Sequence, residues 1–226
     1  MDSRKKGLNL VIAGAALLLL FVAFTLLVRT VDVQAIGPEG SLVGFASFNK
    51  AVHDASGVHI VLYSISDWGG IPAILIAAGF AVLGLHQLVK FRSIRKVDSS
   101  LLALGVFYIA VIAVYLFFEE VVINYRPVLI EGRLEASYPS STTLIMLCIV
   151  STAMMQLHCR IESFAASCAV NAVLAVYLVV MVVFRLVSGV HWATDIIGAM
   201  IVSAALVLLY SGSVRMLASS SSSVAS

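Results

Sequence analysis

Charged residues are scarce in this sequence, and their scarcity excludes an ordinary soluble domain. Only 12% of the 226 residues are Asp, Glu, Lys or Arg, whereas 61% are hydrophobic and the mean hydropathy is +1.07. In a soluble domain about a quarter of the residues are charged and about half are apolar. The sequence therefore predicts an integral membrane protein. The net charge is only +2, and no basic cluster alternates with aromatic residues, which argues against nucleic acid as a partner.

Cysteine is also sparse. The chain has three cysteines, Cys148, Cys159 and Cys168, which lie in or beside apolar segments. An odd number without paired spacing argues against a disulfide framework and against a zinc site.

Long hydrophobic runs, in contrast, dominate the chain. A membrane helix needs about 20 apolar residues, and six segments reach or approach this length: residues 8–28, 70–89, 101–118, 142–157, 164–184 and 193–210. We expect one all-α bundle of six transmembrane helices over residues 1–218, with interfacial helices on the extracytoplasmic side. The serine-rich segment 219–226 is predicted to be a disordered tail. The first run is longer than the apolar core of a signal peptide, so we interpret it as an uncleaved anchor.

The basic residues predict the orientation of the chain. With the N terminus inside, more Lys and Arg residues fall in cytoplasmic than in outer segments, while most acidic residues fall outside. We therefore expect a multi-pass plasma-membrane protein with both termini in the cytoplasm. The polar residues described below would then face the extracytoplasmic side.

The first outer segment, residues 29–69, is long and partly amphipathic. Leu42, Phe45, Phe48 and Val52 recur at near-helical spacing. This spacing predicts a helix that either lies along the membrane interface or packs over the bundle. The sequence leaves both interpretations open.

Three polar residues at the end of an apolar run are the strongest indication of function. Arg185, His191 and Asp195 lie within eleven residues of one another, where such groups are costly beside lipid and are usually kept for function. If Asp195 lies in a helix, the spacing of four places it on one face with His191. A carboxylate there fixes the imidazole tautomer and makes it a better nucleophile or base. Arg185 supplies a planar fork of donors that suits a phosphate.

The second outer loop, residues 119–141, holds a second set of anion-binding candidates. Arg126 is followed by Pro127, and Pro139 precedes Ser140, Ser141 and Thr142 at the start of an apolar run. Pro followed by Ser or Thr residues is typical of a helix start. The free amides and the dipole of such a start favour an anion. The loop therefore predicts phosphate binding by Arg126 and by the hydroxyl residues Ser140, Ser141 and Thr142. For the three hydroxyl residues, helix capping is an equally good interpretation.

These residues resemble the type 2 phosphatidic acid phosphatase superfamily, the lipid phosphatases related to vanadium haloperoxidases. Its signature has three parts: Lys, six residues and Arg-Pro; then Pro-Ser-Gly-His; then Ser-Arg, five residues, His, three residues and Asp. Arg126-Pro127 matches the end of the first part, Pro139-Ser140 opens the second, and Arg185, His191 and Asp195 match the third. The resemblance covers roughly residues 70–210.

The resemblance implies a phosphatase that acts without a metal or another cofactor. By analogy, His191 attacks phosphorus and Asp195 orients it, while Arg126, Arg185 and the region Ser140 to Thr142 bind the phosphate of a lipid substrate. The expected substrate is a lipid phosphate or a polyprenyl or other lipid diphosphate, hydrolysed at the outer leaflet.

The chain departs from the signature at four positions. Glu119 stands where the family has the first-part lysine, and Phe184 replaces the serine before Arg185. In the second part, Ser141 replaces the glycine, and Thr142 replaces the histidine that protonates the leaving group. General acid catalysis contributes about 10²–10⁴-fold, so its loss would hurt a poor alkoxide leaving group most and a diphosphate least. Other residues that could supply the proton are in the same loop: Glu131, Glu135 and Tyr138.

The departures leave two further functions open. One is a non-hydrolytic protein that binds lipid phosphates on the same scaffold. The other is a transferase that hands the phosphoryl or head group to an acceptor other than water. A channel or carrier is less favoured, because ionisable residues are nearly absent from the interiors of the spans.

Overall fold

A computed structural model describes residues 3–224, with side chains through residue 219. Within this range the chain forms eight α-helices: α1 (Ser3–Thr30), α2 (Ala46–Ser56), α3 (Ile60–Trp68), α4 (Gly70–Phe91), α5 (Ser99–Glu120), α6 (Ser141–His158), α7 (Phe164–Val187) and α8 (Ala193–Val224). Six helical stretches, one of them formed by α3 and α4 together, are long and apolar enough to cross a membrane. The predicted all-α bundle of six spans is confirmed, and the chain is a multi-pass integral membrane protein.

Two boundaries differ from the sequence-based prediction. The second span starts at Ile60 rather than at Gly70, because α3 leads directly into α4 at Gly69. At this junction the Gly69 carbonyl accepts a hydrogen bond from the Tyr177 hydroxyl of α7. At the other end, α8 continues to Val224, into the segment for which the sequence predicts a disordered tail. Serine has only a modest cost in a helix that is already nucleated.

Helices α6 and α8 form the centre of the bundle. Half of the apolar window of each is buried, whereas the windows of α4 and α7 are almost entirely on the outside. Such outward-facing apolar residues suit contact with lipid. Both central helices begin at the same end of the bundle, where Ser140 N–H donates to the carbonyl of Asp195 at 3.1 Å. We call this the site end.

Helix α1 packs antiparallel to α8 along a seam of small residues. A Cβ atom at Gly7 or Gly14 would lie only 2.8 Å from Met216 or Leu209 of α8. Glycine at these positions lets two backbones approach closely, which is the usual way in which membrane helices associate. The seam fixes α8 along its length and so fixes the position of the residues at its start.

The segment 29–69 covers the site end. Helix α2 packs on the start of α8, since Asn49 is fully buried and exchanges two hydrogen bonds with Thr194, at 2.9 and 3.1 Å. These contacts favour the packed interpretation for this part of the segment. Leu42 and Phe45 precede α2 rather than belonging to it.

Candidate active site

His191 and Asp195 lie side by side at the start of α8. Asp195 is in the first turn of the helix, whereas His191 is in the turn that precedes it, so the two do not share a helical face. Asp195 Oδ2 accepts the Trp192 backbone amide at 2.9 Å and lies 3.5 Å from His191 Nδ1. Asp195 therefore caps its own helix and faces the imidazole at the same time.

A tight turn joins α7 to this pair. Gly189 has φ = 66°, and a Cβ atom there would lie 1.9 Å from the carbonyl oxygen of Gly57. Only glycine fits here, because the backbone is left-handed and because the backbone at Gly57 leaves no room for a side chain. The turn brings Arg185, in the last turn of α7, and His191 to the same end of the bundle.

Arg126 contacts the other nitrogen of the imidazole. Its Nη1 lies 3.3 Å from His191 Nε2, and its Nε lies 3.1 Å from Glu135 Oε2, outside hydrogen-bond geometry. Because a guanidinium can only donate, Nε2 is the accepting nitrogen and the ring proton is on Nδ1, towards Asp195. The lone pair of Nε2 therefore points to the side on which the arginine lies.

The ring of His191 is held in its neutral form. Its exposed fraction is 3%. Burial, followed by the positive charges of Arg185 and Arg126, lowers the pKa of His191 well below its usual value. A neutral imidazole is the nucleophilic form, and its Nε2 lone pair becomes available when Arg126 turns to a bound anion.

Arg185 is a fully buried cation with incomplete pairing. Its Nη1 lies 3.2 Å from Asp67 Oδ1, but its Nε and Nη2 have no hydrogen-bond partner among the described side chains and backbone. The Tyr63 ring covers both guanidinium groups, with its centroid 4.9 Å from Arg185 Cζ and 5.7 Å from Arg126 Cζ. Buried donors without partners cost free energy, so this arrangement favours a bound anion.

The three hydroxyl residues at the start of α6 lie in different surroundings. Ser140 donates its hydroxyl to Thr143 and its amide to the Asp195 carbonyl. Ser141 lines a small cleft together with Glu119 and Tyr138. Thr142 donates its hydroxyl to Asp67 Oδ1 at 3.4 Å. Of the three side chains, only that of Thr142 contacts the group that also binds Arg185.

The loop residues suggested as proton donors are not equally placed. The Tyr138 hydroxyl bonds to Thr25 at 2.8 Å and the ring stacks on Phe21, so it points into the core. Glu135 is engaged with Arg126. Glu131 lies in an exposed turn with φ = 50°.

Sequence reasoning gave no role to Tyr63, Asp67 or Asn124. Asn124 Nδ2 donates to Asp195 Oδ1 at 3.3 Å, and Tyr63 and Asp67 are one turn apart on α3, facing the two arginines. The available signal for Asp67 was an acidic residue directly before an apolar span, where a charge is costly.

Comparisons with known proteins bear on the fold. The structure is similar to a crystal structure of the first transmembrane PAP2 type phosphatidylglycerolphosphate phosphatase from Bacillus subtilis. The TM-score is 0.60 and the identity is 18%, over 88% of this chain and 94% of that chain. No family model matches the sequence, and a comparison with curated proteins finds no significant match. The likeness shows that the chain has the fold of a PAP2-type membrane protein, which confirms the fold implied by the sequence resemblance.

Proposed function

We propose that this protein is a membrane phosphatase that hydrolyses a lipid phosphate or a lipid diphosphate through a phosphohistidine at His191. The observation that carries the proposal is the buried cluster of His191, Asp195, Arg126 and Arg185, in which guanidinium nitrogens lack partners. The chain shares its fold with a protein described as a phosphatidylglycerolphosphate phosphatase, which supports a lipid phosphate as the class of substrate.

The geometry supports a two-step displacement. His191 Nε2 forms a bond to phosphorus, the bond from phosphorus to the leaving oxygen breaks, and Arg126 and Arg185 stabilise the charge that develops on the phosphoryl oxygens. The ring, now phosphorylated and protonated on Nδ1, carries a positive charge that Asp195 stabilises. Water then attacks phosphorus, releases phosphate and returns the electron pair to Nε2. This route uses side chains alone, so we expect turnover without a metal.

The distribution of charge supports the orientation of the site. The excess of Lys and Arg at the opposite end favours a cytoplasmic location for that end, so the site would face the outer leaflet of the plasma membrane. A lipid phosphate in that leaflet could then present its head group to Arg126 and Arg185.

The decisive experiment compares wild-type protein with His191→Ala. Purified protein in mixed micelles is given lipid monophosphates and diphosphates in the presence of a chelator, and phosphate release is measured. We expect His191→Ala to lose at least about 10³-fold in kcat/KM, as a lost nucleophile should. Phosphate label trapped on the wild-type protein should be acid-labile and absent from the variant.

The matched control is His86→Ala, which removes an exposed histidine of α4. It should keep full activity. Equal phosphate release by wild type and His191→Ala would contradict the proposal.

A transferase is the second candidate, and the burial of His191 favours it. A nucleophile that is 3% exposed is screened from bulk water, which would let a bound alcohol compete with water for the phosphohistidine. Adding lipid alcohols to the assay separates the two functions. A phosphorylated alcohol as the main product would favour a transferase, and tight lipid-phosphate binding without any product would favour a binding protein.

A further inference from the structure

The carboxylate of Asp67 lies where the candidate site lacks a proton-transfer group. Its Oδ1 is 3.2 Å from Arg185 Nη1 and accepts the hydroxyl of Thr142 at 3.4 Å. Thr142 is the position at which the resembled family has its proton-donating histidine. Asp67 thus reaches the same place from a different helix, α3.

The packing of α3 holds Asp67 there. Helix α3 packs against α7, and Tyr63, one turn before Asp67, covers both guanidinium groups. At the α3–α4 junction, Gly70 lies against Thr142, since a Cβ atom at Gly70 would be 3.8 Å from the Thr142 methyl group. Asp67 is therefore held between the phosphate-binding arginine and the start of α6.

Half of the Asp67 side chain is exposed, which suits a group that must exchange protons with water. The Arg185 and Asp195 side chains, in contrast, are fully buried. Substrate phosphate bound to the free Nε and Nη2 of Arg185 would lie beside the Asp67 carboxylate, which contacts Nη1 of the same guanidinium. A carboxyl group beside the bound phosphate is placed to give a proton to the leaving oxygen and to take one from the attacking water.

We propose that Asp67 is the acid–base residue of the phosphoryl transfer, in place of the histidine that Thr142 replaces. This inference rests on the proposed function. In the first step, His191 Nε2 forms a bond to phosphorus, the bond from phosphorus to the leaving oxygen breaks, and protonated Asp67 gives its proton to that oxygen. In the second step, the Asp67 carboxylate takes a proton from water, the water oxygen attacks phosphorus and the P–N bond breaks. Phosphate leaves, and Asp67 is protonated again.

Asp67→Asn tests this with two substrates that differ in the leaving group. Para-nitrophenolate leaves without protonation, whereas the alkoxide of phosphatidic acid needs a proton. Rapid-quench kinetics separate the two steps. With phosphatidic acid, we expect Asp67→Asn to slow the formation of phosphohistidine by about 10²–10³-fold. With para-nitrophenyl phosphate, the burst of nitrophenolate should stay within about threefold of wild type, but phosphohistidine should accumulate because water lacks its base.

Other outcomes would overturn the inference. If Asp67 only positions Arg185, the burst slows equally with both substrates and KM rises with both. If Asp67 blocks the anion site, Asp67→Asn is faster than wild type. If wild type turns over through His191 and Asp67→Asn behaves like it on both substrates, only this inference fails. If wild type shows no turnover that depends on His191, the proposed function fails together with it.

Two controls accompany the variant. Asp54→Asn removes an exposed carboxylate of α2 that pairs with Lys50, and it should leave both bursts unchanged. If Asp67→Asn does not fold, Thr142→Val removes the hydroxyl that bonds to Asp67 and keeps the Arg185 contact. Thr142→Val should slow phosphohistidine formation from phosphatidic acid by roughly tenfold and leave the burst with para-nitrophenyl phosphate nearly unchanged. Equal effects on both substrates would contradict the inference.

Discussion

The two ends of the bundle each hold an arginine beside an aspartate, yet the arginines are satisfied to different degrees. At the end opposite the site, Arg160 donates to the backbone and side-chain oxygens of Gln156 and to Asp98 at 2.7 Å. At the site end, fully buried Arg185 has one contact to Asp67, and its Nε and Nη2 have no partner among the described residues.

The difference separates a structural network from a candidate binding site. Arg160 ties the end of α6 to Asp98 at the start of α5, so its donors are used within the protein. Arg185 is more deeply buried and would be expected to need more partners, since burying a charge is costly unless it is paired. Its free donors indicate a site that an external anion completes. Substitutions at the site end should therefore lower activity, whereas equivalent substitutions at the opposite end should lower stability.

The largest contrast should come from Asp195 at the site end and Asp98 at the opposite end. We expect Asp195→Asn to lower kcat by about 10³–10⁴-fold, because the amide no longer stabilises the charged phosphohistidine. Asp98→Asn at the other end should keep kcat and lower the free energy of unfolding by about 1 kcal/mol, since its pair with Arg160 is partly exposed. Phosphate release and thermal unfolding in micelles measure both. A similar loss of kcat in the two variants would remove the distinction between the ends.

The two arginines should give the next largest contrast. Arg185→Gln is expected to reduce kcat/KM by about 10²–10³-fold, because it removes donors from the developing charge on phosphate. Arg160→Gln should lower thermal stability and leave kcat/KM of the folded fraction within about twofold. Binding of vanadate, a phosphate mimic, provides an independent readout. Vanadate affinity that survives Arg185→Gln would show that this arginine is not an anion ligand.

The sequence predicted the features of the fold and of the candidate site that depend on local patterns. The six spans follow from the length of the apolar runs, and the positions of Arg185, His191 and Asp195 near one another follow from their short separation along the chain. Arg126 lies beside His191 although 65 residues separate them. The order of the spans, which places both at the same membrane level, and the family resemblance connected the two in advance.

Contacts that depend on how helices pack could not be predicted. Asp67 and Arg185 are 118 residues apart, and they meet because α3 packs on α7, for which the sequence holds no local signal. The same is true of Ser140, whose amide was expected to face an anion but donates to the Asp195 carbonyl. Propensity locates the start of a helix, whereas tertiary contacts decide which of its amides stay free.

The seam between α1 and α8 connects the two ends and permits a smaller test. A Cβ atom at Gly14 would lie 2.8 Å from Leu209 Cγ and 2.9 Å from the Ala205 carbonyl oxygen. Gly14→Ala should therefore lower the free energy of unfolding by about 1–3 kcal/mol and leave kcat of the folded protein unchanged. Gly105→Ala on α5, where a Cβ atom meets nothing within 4 Å, is the matched control and should be neutral or slightly stabilising. Equal melting temperatures for the two variants would show that the seam tolerates a methyl group.

The smallest expected effect is the response of the site to pH. Burial and the two arginines lower the pKa of His191, so the ring stays neutral and nucleophilic as the pH falls, and activity is lost only when the pH passes below that lowered value. Between pH 8 and pH 6.5, kcat/KM for para-nitrophenyl phosphate, whose leaving group needs no proton, should change by less than about threefold after correction for ionisation of the substrate. In Arg185→Gln one of the two cations is gone, so the acid limb of the residual activity should move to higher pH. An acid limb above pH 6.5 in the wild type, or one that stays in place in Arg185→Gln, would mean that the arginines do not act on His191 as their positions indicate.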